Sequence, residues 1–315
     1  LDSNHMSTGY NINPMWTGLD RNPELNPSKD GTPALFWEEL RDAYGTVSTW
    51  LSGQCFQYGE YFGKSSMSAD VELNQLACHP DYDPAQGQDN NLKGPYSVFL
   101  RFIAGKPVFE HMLEYVRLWV HNKERGENSV LVSTFLDGHN GLGAVSGTMD
   151  TPLAGMLQDI RKAITSDTIL VMNSDHGSNM GLKEKWEFAS YQELAHPFLF
   201  IVVPNAVLDA IPGSRENMLS NQHRLVSHFD VHRTLLSVCG LRESVNSGRN
   251  SRILPTALRH SDGFFSLLHH AIPANRTCEQ AGIHPHACMC RHPHGTLKFG
   301  ATCEHCNIHH KHFNP

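Results

Sequence analysis

At 315 residues the chain is long enough to bury one large core or two modest ones. With 40% apolar and 18% charged residues it is a globular chain rather than a disordered one, and a net charge of −7 with pI near 6.3 argues against a general nucleic-acid binder. No apolar run approaches the roughly 18 residues of a membrane span.

The chain opens with Ser7-Thr8-Gly9-Tyr10-Asn11 and then Trp16-Thr17-Gly18-Leu19. After a loop rich in Pro, Asn and Asp, the spacing predicts a short amphipathic helix over 34–44, closed by Gly45, and a strand over 46–51. Residues 52–95 are polar and Gly-rich and carry no clear element; Cys55 and Cys78 lie inside them and could form a disulfide. Apolar residues at helical spacing predict a helix over 107–123, with Val108, Met112, Tyr115, Val116 and Trp119 on it. A strand over 129–136 follows and ends in the polar cluster Asp137-Gly138-His139-Asn140. Next come a helix over 149–164, a strand over 168–173, a strand over 198–203 and a helix over 227–238. Strands alternating with helices point to an α/β sandwich with a largely parallel sheet.

The stretch after residue 168 is the most informative. An apolar run ends abruptly in Ser174-Asp175-His176-Gly177, which is how a buried parallel strand delivers polar groups to the carboxyl edge of a sheet. Asp and His side by side offer a hard oxygen and an imidazole nitrogen, a pair suited to zinc or manganese. A bland alternative exists, with Asp175 capping a helix and His176 half-buried. Thr8, Asp137 with His139, and Asp175 with His176 thus form three separated groups that parallel strands could bring to one edge.

The last quarter holds Cys278, Cys288, Cys290, Cys303 and Cys306 together with many of the 21 His residues, and Asn275-Arg276-Thr277 is an N-glycosylation sequon. Clustered Cys plus a sequon lean towards the extracellular space or the secretory lumen. Cys303-Glu-His-Cys306 has half of a zinc-ligand spacing, but disulfides explain the same residues better.

In these segments the chain resembles the alkaline phosphatase and sulfatase superfamily, and more closely an animal sulfatase-like family with a Cys-rich C-terminal segment. Ser174-Asp175-His176-Gly177 is similar to the superfamily's strand end. Glu193 and His196-Pro197 before a strand ending at Pro204, and Asn221-Gln-His-Arg224-Leu225-x-Ser227-x-x-Asp230, resemble its downstream segments. Cys278-Glu-Gln-Ala281-Gly282-Ile283 and His286-Ala-Cys288-Met-Cys290 resemble the closer family's Cys-rich stretch. The resemblance implies a three-layer αβα sandwich, with a catalytic domain over 1–260 and a Cys/His-rich segment over 261–315. It also implies a nucleophile nine residues before a Thr-Gly pair, which is Thr8; Tyr10 stands where the pattern has Pro, and Ser7 is the neighbouring alternative. A further Asp ligand is implied on a strand before the nucleophile. Asp2 lies too close to Thr8 for that, so this ligand is expected upstream of residue 1, and the chain as it stands is expected to be inactive or weakly active.

The implied chemistry is metal-dependent attack by Thr8 on a phosphoric, or less favourably sulfuric, ester of a small molecule, glycan or lipid. The metal would be zinc, manganese or calcium, with Asp175, His176, Asp137, His139 and Thr8 as candidate ligands and His223 or His228 completing a second site. Asn11, His139 and Lys183 are the candidate donors to the substrate's oxygens. The sulfatase formylglycine motif is absent, which favours phosphate over sulfate. The competing reading is a catalytically degenerate member of the same fold acting as an extracellular binding protein.

Overall fold

A computed structural model of the chain describes residues 1–20, 33–53, 58–73, 102–122, 128–139, 144–164, 168–177, 193–239, 263–285 and 287–289. The chain divides into two compact units. One contains residues 1–36, 169–177 and 185–315; the other contains 37–168 and 178–184.

The second unit is built on a parallel three-stranded sheet. Strand β1 (Val47–Ser52) lies in its middle, between β2 (Val71–Leu73) and β5 (Ser129–Thr134). Central placement explains its burial: all of β1 but Val47 is shielded from water. Successive strand residues face opposite sides, so Trp50 and Leu51 address different layers. Leu51 packs with Val108 and Met112 of helix α3 (Val108–Asn122), while Trp50 lies against Trp37 of helix α2 (Phe36–Tyr44), ring centroids 6.2 Å apart. Helices therefore cover both faces of this sheet, the α/β layering expected from the alternation of elements. The Trp37 indole N–H donates to the Met67 carbonyl, as a buried indole requires. A short hairpin, β3 (Phe102–Ile103) with β4 (Lys106–Pro107), leads into α3, and α4 (Ala144–Ile164) packs on α3. Helix α4 begins five residues before the expected start, because Pro152 sits within it instead of marking its first turn.

The other unit begins with α1 (Thr8–Thr17), which packs on the last helix of the described fold, α7 (His228–Cys239). Between them in sequence lie β6 (Leu170–Asn173), β7 (Leu199–Val202), α5 (Asn205–Ala210) and α6 (Ser214–Asn221). Strand β6 pairs antiparallel with β7, Leu170 opposite Val202 and Asn173 opposite Leu199, and all of β6 is half-buried. The expected buried parallel strand at 168–173 is thus replaced by an antiparallel pair. On β7, Leu199 and Ile201 join a core with Val226, Leu267 and Ile272, while Phe198 and Phe200 face solvent. Residues 263–289 pack into this same unit and are held by the Cys278–Cys288 disulfide, whose half-cystines sit in a core with Leu225, Ala281, Ile283 and Ala287.

One buried ion pair ties that segment to α7. The Arg276 guanidinium meets the Asp230 carboxylate through both nitrogens, at 2.6 and 3.1 Å, with both side chains almost wholly out of water. Asp230 also accepts the Ser227 and Phe265 N–H groups, and Arg276 donates to the Leu225 and Gly263 carbonyls. These bonds meet most of the remaining valences a buried pair must satisfy, with the Arg276 Nε–H left without an acceptor among the described residues.

Candidate active site

Thr8 is the first residue of α1, following Ser7, whose backbone is extended and whose side chain makes no capping bond. Asn11 fixes the approach to the helix. Its Oδ1 accepts the His5 N–H at 2.9 Å and its Nδ2 donates to the His5 and Ser7 carbonyls, with the side chain fully buried. Thr8 remains half-exposed at the positive end of the helix.

On the other side of the site β6 ends at Asn173, and residues 174–177 turn back on themselves. The Ser174 hydroxyl donates to the His176 carbonyl at 2.5 Å, and His176 Nδ1 donates to the Gly177 carbonyl at 2.6 Å. A carbonyl can only accept, so Nδ1 carries the proton and Nε2 of the neutral ring carries a lone pair. That lone pair faces the Thr8 hydroxyl at 3.1 Å. Asp175 Oδ2 lies 3.4 Å from the same nitrogen. Gly177 is required by space: a Cβ there would collide with the Glu193 carbonyl, and the Gly177 N–H donates to the Leu194 carbonyl at 2.9 Å.

His228 closes this arrangement from below. It is fully buried at the start of α7, Nδ1 lying 3.0 Å from Asn4 Oδ1 and Nε2 3.3 Å from the Ser174 carbonyl. Asn4 is itself oriented by the His228 N–H and the Gly282 carbonyl. Burial pushes the His228 imidazole down to about 4, so it is neutral at physiological pH. A neutral imidazole has one N–H and donates to one of these two oxygens while touching the other; with its backbone N–H on Asn4 Oδ1, His228 lies between the segment before Thr8 and the strand end at Ser174. Sequence reading offered His228 only as an alternative metal ligand. Its place there depends on Asn4, a residue with no pattern to mark it.

The remaining candidates belong to other elements of the chain. His223 is exposed beyond α6. Asp137 and His139 belong to the second unit, where they begin and end a single 3-10 turn after β5. Asp137 is buried, and burial raises its carboxyl to about 6. The His139 side chain, Lys183, Cys55, Cys78, Cys290, Cys303 and Cys306 lie outside the described residues. Among the described residues no group of three or more His, Cys, Asp and Glu side chains is arranged to hold a metal ion, and no helix is long and apolar enough to cross a membrane.

The chemistry of the donor set nevertheless suits a cation. Thr8 Oγ1, Asp175 Oδ2 and the Nε2 lone pair of His176 are electron-rich atoms turned towards one another. A proton or a metal between them relieves the repulsion, and fixing Nδ1 on a carbonyl is how proteins orient an imidazole for a metal.

Fold and site together define an α/β protein with a hydroxyl–imidazole–carboxylate cluster at a strand end. The family model described as "Protein of unknown function (DUF229)" matches residues 103–298, more than half of the chain, and the chain belongs to that family. Asp175 and His176 lie inside the matched region and Thr8 before it. No curated protein and no solved structure matches the chain.

Proposed function

We propose that the chain is a metal-dependent hydrolase or transferase of phosphoric esters, with sulfuric esters the less favoured substrates, and that Thr8 is its nucleophile. The observation that carries this reading is the 3.1 Å approach of Thr8 Oγ1 to an imidazole nitrogen whose lone pair is fixed towards it. The similarity of Ser174-Asp175-His176-Gly177 to the alkaline phosphatase and sulfatase superfamily supports it.

Thr8 Oγ1 bonds to phosphorus as its proton passes to solvent, and the ester oxygen leaves as the alcohol after gaining a proton. Water then displaces Thr8 from phosphorus and restores the hydroxyl. The N-terminus of α1 places partial positive charge beside the non-bridging oxygens. Asp175 and His176 would hold a divalent ion, zinc, manganese or calcium, whose charge makes the hydroxyl more acidic and offsets charge on the phosphoryl oxygens. Asn11 serves this site by holding residues 5–7 in place, while His139 and Lys183 stay proposed donors and Asp137 and His223 proposed ligands. The substrate is a small molecule or a glycan- or lipid-borne ester. The Cys278–Cys288 disulfide supports action outside the cell or in the secretory lumen.

The test is turnover of phosphate monoesters, phosphate diesters and sulfate esters by the purified full-length protein, extended upstream of residue 1 and loaded with zinc, manganese or calcium, beside Thr8→Ala in the same protein. Phosphoester turnover absent from Thr8→Ala is expected. Sulfate turnover alone would reverse the substrate preference, equal rates in both proteins would remove Thr8 from the reaction, and silence on every ester would favour a binding protein without catalysis.

A further inference from the structure

The loop 273–280 contains the chain's sole Asn-x-Ser/Thr sequence in which x is not Pro, Asn275-Arg276-Thr277, and the fold separates its three residues sharply. Arg276 turns inward to Asp230 and is almost completely buried, its guanidinium also lying over the Phe265 ring at 5.1 Å. Asn275, on the turn just before it, is exposed. Thr277 and Gln280 form a reciprocal cap: the Thr277 N–H donates to Gln280 Oε1 at 2.9 Å, and Thr277 Oγ1 accepts the Gln280 N–H at 3.2 Å. Cys278 follows directly and is bridged to Cys288.

We propose that Asn275 is a modification site carrying an N-linked oligosaccharide. The class of co-substrate is an oligosaccharide on a lipid pyrophosphate. The bond formed joins Asn275 Nδ2 to the anomeric carbon of the sugar; the bond broken is that carbon's link to the pyrophosphate, and the amide loses one proton. An exposed side chain on a turn accepts a bulky polar adduct without displacing core, which the buried position of Arg276 beside it could not do. The inward anchor of Arg276 is what keeps Asn275 outward. In the folded loop the Thr277 hydroxyl is engaged with the Gln280 N–H, so transfer takes place before this turn closes. Closure draws on Cys288, ten residues further along, which leaves an interval during synthesis when the sequon is extended.

This inference rests on the secretory-lumen part of the proposed function and is independent of any catalysis. The full chain, placed behind a cleavable secretion signal in a eukaryotic host that N-glycosylates its proteins, is collected from the medium. It is digested with and without peptide N-glycosidase F and mapped by mass spectrometry. The expected result is one glycosidase-sensitive mass shift, Asn275 recovered as Asp after release, and loss of the shift in Asn275→Gln and in Thr277→Ala. A bridged Cys278–Cys288 peptide with unmodified Asn275 overturns the glycan while leaving the compartment intact. Free thiols at both cysteines with unmodified Asn275 overturn the compartment and the glycan together.

Discussion

Thr8 Oγ1 and His176 Nε2 lie 3.1 Å apart although 168 residues separate them in sequence, and the imidazole's other nitrogen is committed to the Gly177 carbonyl. If this pair performs the proposed chemistry, Thr8→Ala brings ester turnover to background while Thr8→Ser retains it. Removing a proposed metal ligand with His176→Ala lowers metal affinity and kcat by at least about 10–100-fold, the loss that follows when only a ligand's hydrogen-bond partner is removed. Steady-state release of the alcohol from a phosphate ester measures all three variants. A Thr8→Ala protein as active as the natural chain sinks the assignment.

His232 sets a pH dependence of stability. It is buried where α7 meets α1, Nδ1 donates to the Met15 carbonyl at 3.1 Å, and burial lowers its imidazole from 6.5 to about 4. Between those values the unfolded chain holds a proton that the folded chain does not. Stability from this group is therefore complete above pH 6.5, declines as the pH falls, and stops declining below about pH 4. The slope within the window is up to about 1.4 kcal/mol per pH unit. Urea unfolding followed from pH 7 to pH 4 should show it, and His232→Gln, which retains a donor for Met15, should show a shallower fall.

The same imidazole makes Gly18 irreplaceable. Gly18 ends α1 with φ of +68°, and a Cβ added there would lie 2.7 Å from His232 Nε2. Gly18→Ala meets a left-handed backbone cost of about 1–2 kcal/mol and must also push the ring out of its place. Chemical denaturation should place its loss of stability above that backbone cost; a loss of only a few tenths would mean that the close packing of α1 on α7 is wrong.

The Asp230–Arg276 pair gives a prediction by difference. Arg276→Met leaves a buried carboxylate without its cation and should cost about 3–5 kcal/mol. Adding Asp230→Asn to it removes that charge, so the double variant should be more stable than Arg276→Met alone. Equal or lower stability of the double variant by urea titration would show that the charge at Asp230 is not what the single change exposes.

Much of the element order was legible because periodicity marks long segments well: the helices over 108–122 and 228–239 and the strands over 47–52 and 129–134 fall within a few residues of their expected bounds. Strand direction was not legible. A short, mostly apolar strand such as Leu170–Asn173 looks alike whether its partner runs beside or against it, and the partner Leu199–Val202 shows its alternation only weakly because Phe198, Phe200 and Val202 are themselves apolar. Within the site, Asp175, His176 and Thr8 were identifiable as chemical types ending or beginning elements. Asn4 was not, and although His228 stood among the candidate ligands, its packing between Asn4 and the Ser174 carbonyl has no spacing to betray it. The use of Asn11 on the backbone of residues 5–7 is likewise a tertiary fact, decided by which polar groups the first turn of α1 leaves unmet.

The contact of Gly177 with the Glu193 carbonyl, together with its N–H bond to Leu194, has a bearing on how this protein can vary. Residues 177 and 193 form a neck, and whatever lies between them departs from and returns to a single point. The entropy of closing a loop grows only with the logarithm of its length, about 0.6 kcal/mol for each doubling. Lengthening or trimming the intervening chain therefore leaves the neck, and with it the Thr8–His176 pair, nearly undisturbed. Selection can change the length of chain between residues 177 and 193 while Thr8 and His176 stay where they are.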